Sequence, residues 1–165
     1  MRFVSKWKLL RQCAAAGMVR YTKKARHVVF YAAEEASQNM VNELTPEHLL
    51  VGLLRADASL VARFGLPTIE WLRKELIKTP SECRLATAFA LSESARRVIL
   101  LAAEERERLC HKHTGTEHLL LGIIRGGSDC ARLLLQHGLT TARVHQLVRQ
   151  YELAVRGATA EPITT

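Results

Sequence analysis

The chain has 165 residues and a formal net charge of +8, with 48% hydrophobic and 5% aromatic residues. Leu, Ala and Val dominate the apolar set, which favours helices, and no run of about 18 apolar residues predicts a transmembrane helix. Of the 24 basic residues, eight lie in residues 1–26, which hold no acid, so the remaining sixteen balance the sixteen acids. The body is therefore neutral, and its net charge does not indicate the basic face that nucleic-acid binding requires.

Four cysteines are present, Cys13, Cys83, Cys110 and Cys130, and none forms a C-x-x-C pair. The sequence shows no secretory signal, so a disulfide framework is not expected. This pattern predicts a reducing compartment, and we expect a cytoplasmic protein.

Residues 1–20 form a basic arm in which Phe3, Trp7, Leu10 and Ala14 recur at the spacing of a helix. A basic amphipathic segment of this kind can lie on an anionic membrane. It also resembles an organellar targeting peptide, being basic and free of acids, which would place the protein in an organelle. A disordered or loosely docked tail is the third interpretation.

The body of the chain repeats itself. YTKKARHVVFYAAEEA (21–36) aligns with LSESARRVILLAAEER (91–106), and the offset of seventy residues continues through LTPEHLLVGLLR and TGTEHLLLGIIR. One register held over this length predicts a duplicated structural unit. Gly52 and Gly122 occupy equivalent helical positions, where glycine lowers helix propensity, and they predict a close approach of two helices.

Four helices are predicted in the first repeat. An apolar stripe over residues 25–36 indicates the first helix. The second begins at Thr45 and Pro46, because threonine is a good N-cap and proline suits the first helical position. A short third helix covers residues 60–64, and a fourth begins near residues 67–68.

The second repeat follows the same plan, with helices expected at residues 92–110, 116–124, 129–137 and 140–155. No stretch alternates apolar and polar residues as a half-buried strand would. A unit of about 55 residues is marginal alone, so two units are expected to share one core. We predict an all-α fold of two pseudo-twofold repeats of about four helices each. The expected divisions are the arm (1–20), repeat one (21–78), a linker (79–90), repeat two (91–155) and a flexible tail (156–165).

The segment ARRVILLAAEERERLCHKHTGTEHLLLGIIR resembles the double-repeat N-terminal domain of Clp-type AAA+ unfoldases of the ClpC and ClpA kind. TGTEHLLLG is its most specific part, and the first repeat looks like a more diverged copy. The resemblance covers about residues 21–150. It implies a compact all-α module, here free-standing and without ATPase domains, that recognises protein substrates or adaptors, or docks on Clp ATPase or Clp protease subunits.

The repeated helix starts can be interpreted physically. Thr45 or Thr116 can cap its helix by accepting a backbone N–H. Glu47 and Glu117 then lie in the first turn, where a negative charge meets the positive end of the helix dipole. His48 and His118 follow; each is either part of a surface pocket or bonded to a neighbouring backbone group.

Glu47 and Glu117 are predicted to mark two equivalent surface pockets. The resemblance implies that this acid grips the guanidinium of a phosphorylated arginine on a marked substrate. A carboxylate suits a guanidinium because the two pair through parallel hydrogen bonds. Glu117 is the better candidate, since Glu47 follows Pro46 and lacks the glycine-bearing pattern of the second repeat.

The run CHKHTGTEH gathers Cys110, His111, His113, Glu117 and His118, which are suitable zinc ligands. Their spacing matches no zinc-finger pattern and the first repeat lacks the run, so we expect no metal. No G-x-x-x-x-G-K-[ST] loop is present, so the chain should not hydrolyse ATP itself. No cofactor or catalytic residue is predicted, and the protein is not expected to be an enzyme.

Two adjacent acid pairs, Glu34–Glu35 and Glu104–Glu105, occupy equivalent positions in the repeats. Neighbouring residues on a helix point to different sides, so the acids of a pair do not face each other. We interpret both pairs as a solvated face rather than as acid–base pairs.

A second hypothesis assigns the function to the arm. The protein would then be a membrane- or nucleic-acid-associated regulator whose binding depends strongly on salt. No nucleic acid is expected to bind the body. Deletion of residues 1–20 separates this hypothesis from protein binding by the repeats.

Overall fold

The computed structural model describes residues 20–39, 41, 43–77 and 90–158. The predicted arm and linker, apart from Arg20 and Ala90, and the tail beyond residue 158 lie outside the described residues. The first repeat contains α1 (Lys23–Gln38), β1 (Glu43–Leu44), α2 (Pro46–Ala56), α3 (Ser59–Phe64) and α4 (Ile69–Leu76). The second contains β2 (Ala90–Leu91), α5 (Glu93–Arg108), α6 (Thr116–Gly126), α7 (Asp129–Gln136) and α8 (Thr141–Ala158).

The prediction of an all-α fold is confirmed, and each predicted helix is present with small changes at its ends. The first helix of each repeat begins at a hydroxyl N-cap: Ala25 N–H donates to Thr22 Oγ1 (3.2 Å), and Ala95 N–H donates to Ser92 Oγ (3.0 Å). These bonds satisfy backbone donors that a helix leaves unpaired at its start. None of the described helices has the length and apolarity needed to cross a membrane.

Short parallel strand pairs join the two repeats, although no strand was predicted. Leu44 of β1 pairs with Leu91 of β2, and Tyr21 forms an isolated bridge with Thr114. The two pairs are related by the seventy-residue offset. Tyr21 and Leu91, at the starts of the two repeats, therefore each pair with the segment that precedes the second helix of the other repeat. The prediction was wrong here because two-residue strands are too short for an alternation to show in the sequence.

The first two helices of each repeat pack in backbone contact. A Cβ atom on Gly122 would lie 2.5 Å from the carbonyl oxygen of Val98 and 3.0 Å from the amide nitrogen of Ala102. Gly52 faces the carbonyl oxygen of Val28 in the same way. The close approach predicted from the two glycines is confirmed, and it brings the leucines of α2 and α6 into one buried core.

We predict that Gly122→Ala destabilises the protein. The added methyl meets rigid backbone, so α5 and α6 must separate, and overpacking of this kind costs about 1–3 kcal/mol despite the better helix propensity of alanine. Urea unfolding measures the change. Gly126→Ala is the matched control on the same helix, because a Cβ there meets only a Val98 side-chain methyl at 3.2 Å. Equal stabilities of the two variants would contradict the close backbone approach.

Each repeat buries one glutamate of its adjacent acid pair. Glu35 is 1% exposed, and its carboxylate accepts hydrogen bonds from Arg55 Nη1 (2.8 Å) and Arg73 Nε (2.9 Å). The Nη2 of Arg55 also donates to Glu34 (2.7 Å), so one guanidinium holds both acids. A buried carboxylate is tolerated because it is paired and hydrogen-bonded.

The second repeat has the same arrangement. Arg125 donates to Glu105 (2.7 Å) and to Glu104 (2.9 Å), and His145 Nε2 lies 2.6 Å from Glu105 Oε2. The interpretation of both acid pairs as a solvated face is wrong for Glu35 and Glu105. The reason is that the pairing arginine comes from the end of the next helix, twenty residues further along the chain.

The ion pair around Glu35 makes stability depend on pH. Burial would raise the pKa of Glu35, but the hydrogen bonds and charges of Arg73 and Arg55 hold that pKa below its ordinary value of 4.5. Because the folded-state pKa is lowered, the stabilisation is present above about pH 4.5 and is lost as the pH falls further. Arg55→Leu is expected to lower the free energy of unfolding by about 3 kcal/mol at neutral pH, since it strips a buried carboxylate of one partner.

Urea unfolding at a series of pH values measures both effects. The difference between Arg55→Leu and the wild type should shrink as Glu35 becomes protonated. Arg96→Leu, which removes an exposed arginine of α5, is the control and should change stability by no more than about 0.5 kcal/mol. A difference that stays constant down to about pH 3 would show that Arg55 does not act through the charge of Glu35.

Candidate functional site

His48 and His118, at the starts of α2 and α6, are buried helix-capping residues. His118 Nδ1 accepts the backbone N–H of Gly115 at 2.8 Å, and His48 Nδ1 accepts the backbone N–H of Thr45 at 3.3 Å. Each imidazole thus takes the place that glutamate or glutamine has in a capping box. His118 is fully buried and His48 is 6% exposed. The interpretation that each histidine bonds a neighbouring backbone group is confirmed.

The structure corrects the role of Thr116. Gly115, not Thr116, is the N-cap of α6, and Thr116 is the first helical residue. Its hydroxyl is buried and donates to Asp57 Oδ2 at 2.9 Å. The aligned N-cap positions are Thr45 and Gly115, so Thr116 aligns with Pro46. Thr116 and the two histidines therefore support the site from inside and do not line its surface.

A chain of hydrogen bonds ties the start of α6 to α8. Because His118 Nδ1 accepts from Gly115, its proton lies on Nε2, which donates to His111 Nδ1 at 2.9 Å. His111 Nε2 then donates to Glu152 at 2.5 Å. In the first repeat Val41 aligns with His111, and His48 Nε2 is buried without a hydrogen-bond partner among the described residues.

Three of the five side chains considered as zinc ligands come together. Ligand atoms of His111, Glu117 and His118 lie within 4.8 Å of one another, whereas Cys110 and His113 are exposed and outside this group. Both nitrogens of His118 already have protein partners, and one of these bonds caps α6. A metal ion would have to break the cap, so the residues do not fit a metal site.

Glu117 presents a charged carboxylate at the start of α6. Its side chain is 23% exposed, and its Oε1 lies 3.1 Å from His118 Nδ1. The carboxylate occupies space that a Cβ atom on residue 115 would need, so glycine at that position lets it fold back over the N-cap. Burial would raise the pKa of Glu117, but contact with His118, the first-turn backbone and the charge of Arg63 lower it.

The contact between His118 and Glu117 is secondary to the cap. A single nitrogen cannot accept a hydrogen from Gly115 and donate one to Glu117 at the same time. The backbone bond is the shorter of the two, 2.8 Å against 3.1 Å, and it satisfies a buried donor. We therefore assign His118 Nδ1 as the acceptor of the Gly115 N–H.

The start of α6 lies against the turn between α2 and α3 of the other repeat. Asp57 in this turn is buried, and it accepts hydrogen bonds from Thr116 (2.9 Å), Ser59 (2.7 Å) and Lys24 (3.1 Å). These bonds hold the Glu117 site against α3. Every oxygen of the Asp57 carboxylate has a partner, so this acid is structural.

Glu47 occupies the equivalent position at the start of α2 but has different neighbours. It lies beside Cys130 at the start of α7, where burial raises the pKa of the thiol to about 12 and the charge of Glu47 adds to this effect. The Cys130 Sγ is also 3.1 Å from Ser128 Oγ. The thiol stays protonated and unreactive. Each acid thus faces the third helix of the other repeat, but the side chains it meets there differ.

We predict that His118→Leu lowers the free energy of unfolding by about 1–3 kcal/mol, because the Gly115 N–H loses its acceptor in a buried position. His118→Gln should retain more stability, since glutamine can accept the same bond. Urea unfolding of both variants is the measurement. His113→Leu, a change at an exposed histidine of the same loop, should have little effect, and a leucine variant at position 118 as stable as the wild type would refute the capping role.

The structure consists of two helical repeats that exchange strand contacts. In each repeat a buried histidine and a half-buried acid lie at the start of the second helix. These features define a duplicated all-α domain. The chain belongs to the Clp repeat (R) N-terminal domain family, whose sequence model matches residues 20–137. The resemblance found in the sequence is thereby confirmed.

Individual relatives agree with this assignment. The negative regulator of genetic competence ClpC/MecB of Bacillus subtilis (strain 168) is 33% identical over 138 residues, which cover 79% of this chain and 17% of ClpC. The solved N-terminal domain of ClpD from Arabidopsis thaliana has a TM-score of 0.64 at 20% identity and covers 80% of this chain and 96% of that domain. The N-terminal domain of the ClpV1 ATPase of E. coli has a TM-score of 0.65 at 21% identity, covering 84% and 89%.

Proposed function

We propose that the chain is a non-catalytic protein-binding module of a Clp system, which recognises substrates or adaptors through the start of α6. The observation that carries the proposal is the Glu117 carboxylate, charged and 23% exposed on an otherwise buried helix start. Membership of the Clp N-terminal domain family supports a role beside a Clp ATPase or peptidase. The likeness to N-terminal domains of ClpD and ClpV1 supports the same reading.

The ligand that suits Glu117 is the guanidinium of an arginine side chain on the bound protein, and the family resemblance adds phosphorylated arginine as a candidate. A carboxylate offers a guanidinium two parallel acceptors. Glu117 is held in place because its neighbours Thr116 and His118 are buried and hydrogen-bonded. Little side-chain entropy is then lost on binding, which favours affinity.

Glu47 is proposed as a second site of lower affinity. Its helix start has the same capping histidine, but Thr45 replaces the glycine over which Glu117 folds. Thr45 Oγ1 lies 2.9 Å from His48 Nδ1, close to where the acid lies in the second repeat. Glu47 is therefore directed toward Cys130.

Isothermal titration calorimetry with a phosphoarginine peptide and its arginine counterpart tests the proposal. Glu117→Gln should weaken binding about ten- to a hundredfold, since it removes a charge-assisted hydrogen-bond pair. Glu93→Gln is the matched control, because Glu93 is also an acid in the first turn of a helix, that of α5, and is exposed. Equal losses in both variants, or no heat with the wild type, would contradict the proposed site.

Affinity capture from native lysate tests the partner class. Enrichment of a Clp ATPase, a Clp peptidase or an adaptor is expected, and it should survive deletion of residues 1–20. If the partner is no longer captured after that deletion but is still captured by Glu117→Gln, the result would favour the hypothesis of a regulator that acts through the arm.

A further inference from the structure

Arg63 breaks the symmetry between the two acid sites. It lies near the end of α3, and Leu133 of α7 aligns with it at the seventy-residue offset. Both residues are half-buried on the third helix of their repeat. The third helix that faces Glu117 therefore carries an arginine at the position where the third helix that faces Glu47 carries a leucine.

The guanidinium of Arg63 lies against aromatic rings, and its Nε has no hydrogen-bond partner among the described residues. Its Cζ lies 3.8 Å from the centroid of the Tyr151 ring and 5.2 Å from that of Phe64. Its Nε is buried without a hydrogen-bond partner, and within the described ranges Arg63 forms no ion pair. A buried donor without a partner is costly, which is consistent with a group that an outside ligand completes.

Arg63 lies on the side of α3 that faces the Glu117 site. Ser59, four residues earlier and so on the same face of the helix, donates to Asp57, and Asp57 accepts from Thr116 beside Glu117. The effect of Arg63 on the pKa of Glu117 agrees with this placement. Lys24, Ser59 and Thr116 satisfy Asp57, so among the described residues Arg63 is the charged group at this point whose buried donor has no hydrogen-bond partner.

We infer that Arg63 is the oxyanion-binding residue of the Glu117 site and sets its specificity. The Glu117 site takes a group that carries an oxyanion next to a guanidinium, while the Glu47 site takes a guanidinium alone. The inference rests on the proposed function and adds to it the selectivity of each site. Arginine donates to carboxylate and phosphate through a planar fork, so the oxyanion is either a phosphoryl group on the guanidinium or a neighbouring carboxylate.

Three peptides of otherwise identical sequence distinguish these sources: one with phosphoarginine, one with arginine followed by glutamate, and one with arginine followed by alanine. Their dissociation constants are measured by calorimetry. The wild type is expected to bind at least one oxyanion-bearing peptide about tenfold more tightly than the alanine peptide. Arg63→Leu should lose this preference for the oxyanion-bearing peptides.

A second experiment places an arginine at the equivalent position of the other repeat and asks whether the Glu47 site gains the preference. In a Glu117→Gln background, Leu133→Arg should give the Glu47 site the same preference for an oxyanion. Arg63→Lys keeps the charge but loses the fork, and should keep only part of the preference. Should Arg63→Leu not fold, as judged by circular dichroism, the gain of preference with Leu133→Arg decides the matter.

The outcomes separate the two proposals. Binding that depends on Glu117 but shows the same peptide ratio in wild type and Arg63→Leu, with no gain from Leu133→Arg, would overturn the role of Arg63 and leave the proposed function intact. Failure of the wild type to bind any of the three peptides would remove the site itself, and the role of Arg63 with it.

Discussion

Backbone contact between the first two helices of each repeat is the constraint on which the rest of the structure depends. At Gly52 and Gly122 no side chain separates the helices, and the carbonyl oxygen of the preceding helix takes the place of a Cβ atom. This approach brings the C-terminal end of α6 against the C-terminal half of α5, so that Arg125 reaches the buried Glu105. It also sets the start of α6 beside the loop after α5, where His118 meets His111.

The second constraint is the exchange of contacts between repeats. Leu44 pairs with Leu91 and Tyr21 with Thr114, so each repeat completes the segment ahead of the other's second helix. The consequence is that neither acid site belongs to one repeat. Glu117 is carried by repeat two, but the residues opposite it come from the turn and third helix of repeat one.

The sequence allowed much of the fold to be predicted because its signals are local. Thr45 with Pro46 marked the start of α2, and the two glycines marked the close approach. Local reasoning failed where the partner is distant along the chain. The burial of Glu35 depends on Arg55, and the burial of Thr116 depends on Asp57, fifty-nine residues away. The sequence could have singled out Arg63, because it is a charged residue that aligns with the apolar Leu133 of the other repeat.

The glutamate and the histidine at the starts of α2 and α6 have different surroundings: the histidine is buried, and the glutamate is partly exposed. The histidine is buried and bonded to the backbone in both repeats, which fixes the helix start that carries the neighbouring glutamate. Because that glutamate faces the other repeat, its surroundings can change without any change in the helix that carries it. Cys130 beside Glu47 and Arg63 near Glu117 are such changes. Duplication with exchanged contacts therefore gives the same helix start two chemically different surroundings, because each acid faces the third helix of the other repeat.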